Sequence, residues 1–141
     1  MRKITTNTHE FSYSTNRILK VILFKNTKKT FSPFVERAEI SKQLTKGEKH
    51  FVLVDARANI NSLKDVLSFS VKKNETEKSI ARAYIVKSFA NKVIGNAFLS
   101  LRKTTIPTRL FSNEKEATSW FDNMIYLTEM NNHKMFRKAF V

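Results

Sequence analysis

The sequence predicts a single α/β domain: a mixed sheet of about five strands, opened by an N-terminal hairpin and packed with about four helices. Three observations predict it. Short apolar runs at 50–55, 81–86 and 108–111 alternate with longer segments whose apolar residues recur at helical spacing. That order favours parallel strands joined by right-handed crossovers. With 141 residues, 41% of them hydrophobic and twelve of them Phe, the chain has the size and apolar content of one core. The domain is read over residues 1–130, followed by a basic-aromatic tail over 131–141.

Residues 10–14 and 18–25 carry β-branched and aromatic side chains, and Thr15, Asn16 and Arg17 offer a turn, so an antiparallel hairpin is expected. Ser32 before Pro33 combines an N-cap with proline at the first helical position. Val35, Ala38 and Leu44 can face inward before Gly47 stops this helix, which spans 33–46. The next run, HFVLVD at 50–55, is apolar as expected of a central strand covered on both faces. Ser62 and Asp65 resemble a weak capping box, and Leu63, Val66, Leu67 and Phe69 or Ser70 predict a second helix ending near Lys73.

ARAYIV at 81–86 is the next core strand. Ser88 then caps a helix whose buried stripe is Phe89, Val93, Ala97 and Leu101, widened by Ile94 and Phe98. Gly95 inside this helix costs about 1 kcal/mol against Ala, which implies close packing against a neighbouring backbone. Pro107 opens a short strand over 108–111, a start or edge position. Asn113 and Glu116 begin the last helix, with Ala117, Trp120, Phe121 and Met124 as its buried stripe. In the tail, His133, Lys134, Arg137 and Lys138 interleave with Met135, Phe136 and Phe140. This segment can extend the last helix, pack on the domain or stay mobile, and its amphipathic pattern could also cover a dimer seam or touch a membrane surface.

With 26 basic and 12 acidic residues the formal charge is +14 and the isoelectric point near 10.2. Such a field attracts nucleic acid, anionic membrane or an acidic partner, although it also serves simply to solvate a surface. The basic residues are spread along the chain, without an RNP-type aromatic signature, zinc-finger spacing or a basic zipper. The absence of Cys excludes disulfides, thiolate metal sites and a cysteine nucleophile, in keeping with a cytoplasmic protein. No apolar run follows the charged residues 1–10 as a secretory signal requires, and none approaches the roughly 20 residues that span a bilayer. A soluble, unexported chain without a transmembrane segment is expected.

Catalytic inventory is thin. His9, His50 and His133 are scattered, so no metal site is expected. Gly47 and Gly95 are the only glycines, which rules out a phosphate-cradling loop or a dinucleotide fingerprint. Glu114 could meet Glu116 or Asp122, yet these lie on a capped, solvated helix. The chain is therefore read as a non-enzyme without cofactor.

The segments VLVDAR (52–57), ARAYIV (81–86), VIGNAFL (93–99), IPTRLF (106–111) and ATSWF (117–121) together resemble the bacterial STAS-like proteins related to the sporulation anti-sigma-factor antagonist. The resemblance covers roughly residues 18–125 and rests mostly on core and turn positions. It implies a mixed sheet with helices packed against it, frequent dimerisation and, in members nearer the sporulation protein, a phosphorylatable serine at a helix start after the central strand. The matching stretch here is DARANINSLKD (55–65), which lacks an Asp-Ser-Ser-Gly motif and offers Ser62 alone.

Four residues form the candidate ligand or partner surface: Asp55, Arg57, Ser62 and Ser88. Asp55 and Arg57 end the central strand, where ligands of open α/β sheets bind; Asp55 can also anchor a loop, with Arg57 as its ion partner. Ser62 reads as an N-cap, with a phosphosite as the alternative. The helix start at Ser88 and Arg57 are the expected receptors for a small anion or lipid headgroup. The expected function is a non-enzymatic, homodimeric protein-interaction or regulatory module with an unidentified partner. A basic anion- or nucleic-acid-binding protein is the second expectation, and a lipid- or small-molecule-binding domain with an apolar cavity the third.

Overall fold

The computed structural model describes residues 2–7, 9–24, 32–58, 78–87, 89–101 and 106–140, with 32–38, 89, 98, 101 and 128–140 described by their backbone alone. The described residues form, in chain order, β1 (Arg2–Thr5), β2 (His9–Tyr13), β3 (Ile18–Leu23), α1 (Ser32–Thr45), β4 (His50–Asp55), β5 (Ser79–Ile85), α2 (Phe89–Leu101), β6 (Thr108–Phe111) and α3 (Glu114–Phe140). The helix expected over Ser62 to Lys73 lies outside the described residues.

All six strands join one sheet in the order β1-β2-β3-β4-β5-β6. The pairs β1–β2 and β2–β3 are antiparallel, and β3–β4, β4–β5 and β5–β6 are parallel. The α/β class and the mixed sheet are thus as expected, while β1 is an additional strand. Its four residues sit mostly exposed at the sheet edge, too short and too polar to announce themselves by alternation.

Because the parallel strands advance in one direction, right-handed crossovers place their connecting helices on one face of the sheet. The core follows suit. Ile40 and Leu44 of α1 and Leu99 of α2 share a cluster with Phe11, Leu19, Val21, Val52, Val54, Tyr84 and Leu110. On the opposite face, Ala117 and Phe121 of α3 pack on Phe51, Leu53, Ala81, Ala83, Ile85 and Phe111. Every residue of β4 is buried, which explains its continuous apolar run. The rings of Phe51 and Phe121 stack at 4.6 Å, and Trp120, half-buried, tilts against Phe111 at 5.5 Å.

Turn chemistry frames the strands. The β2–β3 hairpin closes with Arg17 N–H donating to Ser14 O (3.1 Å) and Arg17 itself left-handed at φ 61°. The first helix ends through Lys46 (φ 53°) and Gly47 (φ 73°), so the stop expected at Gly47 begins one residue earlier.

The packing of α2 differs from expectation at Val93, Ile94 and Ala97, while the expected side chains Phe89, Phe98 and Leu101 lie outside the described residues. Val93 and Ile94 are 51% and 68% exposed and Ala97 is exposed, whereas Gly95 and Leu99 face inward. The reason lies in Gly95 and Asn96. A Cβ at Gly95 would overlap a Leu110 methyl group, so the glycine is needed for contact with a side chain and not with a neighbouring backbone. Asn96 then uses both ends of its carboxamide on the outer edge of β6: Leu110 N–H donates to its Oδ1 at 2.9 Å, and its Nδ2 donates to Leu110 O at 3.2 Å. The side chain takes the place of a seventh strand at that residue. Substituting Asn96→Ala leaves two backbone groups beside a buried leucine without these partners, and should destabilise the fold by about 1–3 kcal/mol in urea unfolding.

Candidate functional site

The C-terminal ends of β4, β5 and β6, where open α/β sheets place their ligands, form one rim of the molecule. Asp55 ends β4 there, buried, and its carboxylate organises the loop that follows. It accepts the Arg57 backbone N–H (3.1 Å), Arg57 Nε (3.0 Å) and Arg57 Nη2 (2.7 Å). One edge of the guanidinium, Nε and Nη2, is thereby turned to both carboxylate oxygens in a bidentate pair, leaving the Arg57 side chain half exposed.

Burial pushes the Asp55 carboxyl up, but hydrogen bonds from the Arg57 side chain and backbone, with the charges of Arg57 and Lys20, outweigh it and hold the group below its ordinary value. The hydrogen bond and charge of Asp55 in turn raise Arg57. Asp55 and Arg57 are thus brought together as anchor and partner, while Ser62 and Ser88 lie outside the described residues.

Two further ion pairs lace the same rim, and neither was legible from spacing. Lys20 Nζ on β3 meets Glu114 Oε2 at 2.9 Å across 94 positions of sequence. Lys92 on α2 approaches Glu116 Oε2 at 3.6 Å. Both acids occupy the first turn of α3, where they also complement the positive helix end. Asn113 caps that turn by accepting the Glu116 N–H at 2.9 Å, as its sequence position predicts. Each carboxylate of the rim therefore has a cationic partner from another element or from its own loop.

His9 and His50 serve structure, and the side chain of His133 lies outside the described residues. His9 stacks on Phe11 at 5.6 Å, and His50 Nδ1 donates to Glu48 O at 2.8 Å. Among the described residues, no group of three or more His, Asp or Glu is placed to hold a metal, and no helix is long and apolar enough to cross a membrane.

The lowered Asp55 group stabilises the fold above the ordinary carboxylate pKa of about 3.9, and this contribution is lost as pH falls through the folded-state value. Asp55→Asn should therefore cost about 1–3 kcal/mol at neutral pH. Its stability difference from the parent should close progressively in chemical denaturation series taken below about pH 4.

No curated protein and no solved structure matches this chain. A family model does match, over residues 11–125, from within the second strand to a point in α3 just past Met124. On that match the chain belongs to the family described as "Domain of unknown function (DUF7793)".

Proposed function

We propose that this chain is a non-enzymatic, STAS-like protein-interaction module that acts as a homodimer paired through α2. The reading is carried by one observation, the outward face of α2. Ala90, Val93, Ile94 and Ala97 recur there at helical spacing and are all exposed. Lys92 is the only charged residue among the 13 of this helix, and it is partnered by Glu116.

A second copy is the occupant that the charge favours. Two chains of formal charge +14 repel one another, and the repulsion is least where a surface carries no uncompensated charge. Small residues at 90 and 97 flank the larger pair at 93 and 94, a pattern that lets a helix pack closely against its own copy about a two-fold axis. The helix is about 20 Å long, so the face it offers sits at the small end of interface sizes and implies a dimer of micromolar or weaker affinity. The STAS-like assignment draws its support from the resemblance of the core segments. A regulatory role and a cytoplasmic location follow from that assignment and belong to the same proposal.

Sedimentation velocity over a concentration series tests the pairing. The parent chain should move toward dimer mass as concentration rises, more strongly at high salt, which screens the mutual repulsion. Ile94→Lys should weaken association by about tenfold or more, since it places a charge at the seam. A parent chain that stays monomeric at every concentration and salt would remove the homodimer from the account.

A further inference from the structure

The opposite rim, at the N-terminal ends of the parallel strands, is electrically unlike the laced C-terminal rim. Arg17 closes the β2–β3 turn, Lys42 and Lys46 end α1, Lys49 precedes β4 and Lys78 precedes β5, and all five are exposed. The backbone gathers them. Phe51 N–H donates to Arg17 O at 2.9 Å, and His50 N–H donates to Lys78 O at 3.1 Å. Glu48, 3.5 Å from Arg17 Nε, is the one carboxylate in this group of described residues.

A second, independent observation marks the same rim. Among the described residues, the only non-glycine positions with positive φ are Arg17 and Lys46, and both carry a cation to this rim. Left-handed backbone suits Gly or Asn, so long basic side chains there store strain that a glycine would relieve. Helix-dipole complementation accounts for Lys42 and Lys46 in part, since Lys42 lies in the last turn of α1 and Lys46 directly follows it. It does not account for Arg17, Lys49 or Lys78.

We infer that this rim is the docking surface for an acidic protein partner. Among the described residues the charges are presented by a turn, by strand starts and by a helix C-terminus, and not along one helix face of the kind that enters a nucleic-acid groove. The carbonyl end of α1 and the exposed Glu48 oppose any close anion, and a phosphate backbone with its unbroken negative charge more than a protein face on which carboxylates alternate with other groups. Glu48 instead suits a partner face of mixed charge dominated by Asp and Glu. The surface is separate from the outward face of α2, so either inference stands without the other.

The test uses a fluorescent deca-glutamate peptide as probe, with a DNA duplex of about 20 base pairs as the competing polyanion, both at about 0.15 M salt. Arg17→Gly/Lys46→Gly should raise the thermal midpoint by roughly 3 °C. The same variant should weaken peptide binding about tenfold. Lys49→Gln/Lys78→Gln should weaken binding comparably without the gain in stability. Lys87→Gln/Lys115→Gln removes the same charge from the C-terminal rim and should change binding by less than about twofold. Equal loss in that control pair, or unchanged binding in both rim variants, overturns the inference. So does duplex DNA that binds more tightly than the peptide and depends on the same four residues, which would assign the rim to nucleic acid.

Discussion

The handedness of the crossovers is the constraint on which the rest of the structure depends. Four parallel strands laid down in chain order send α1 and α2 to the same face of the sheet, and only an element after β6 can close the other. That duty falls to α3, which packs through Ala117 and Phe121 with Trp120 and Met124 partly buried beside them. The helix then outlasts the sheet: its 27 residues extend about 40 Å, and Ile125, Tyr126 and Leu127 are already exposed. The family match ends at residue 125, one position past Met124, the last described α3 side chain that packs on this face.

Within that frame, Gly95 and Asn96 decide what α2 shows to its surroundings. Docking the glycine on Leu110 and clamping the edge of β6 with the asparagine rotates the helix so that Val93 and Ile94 point outward. One contact therefore protects a sheet edge and exposes an apolar stripe. Charge is divided in the same way between the two rims. Glu114 and Glu116 receive Lys20 and Lys92 at one end, while five cations face a single carboxylate at the other.

Much of the fold was legible because burial and periodicity agree. The central strand at 50–55 is wholly buried and reads as continuous apolar sequence, and Asn113 caps α3 where its spacing from Glu116 says it should. The α2 stripe misled because hydrophobic spacing alone assumes that the most apolar face goes inward. In this helix a small residue, an amide and Leu99 make the described inward contacts, and Val93, Ile94 and Ala97 are left outward. Long-range pairs such as Lys20 with Glu114 leave no local signal, since they depend on which strand neighbours which helix. Of the candidate surface, the pairing of Asp55 with Arg57 could be read from their positions two apart at a strand end. The concentration of positive charge at one rim could not, because its members come from a turn, a helix end and two strand starts.

The outward face of α2 as a self-pairing surface is the central claim, and the lack of native cysteine makes a direct distance measurement simple. A spin label on Ser100→Cys, at the exposed end of that face, reports the separation of two copies by double electron–electron resonance. Antiparallel pairing about Val93 and Ile94 predicts one defined distance of about 2–4 nm, strengthening with protein concentration. A featureless background at concentrations where sedimentation shows dimers would contradict it and place the interface elsewhere.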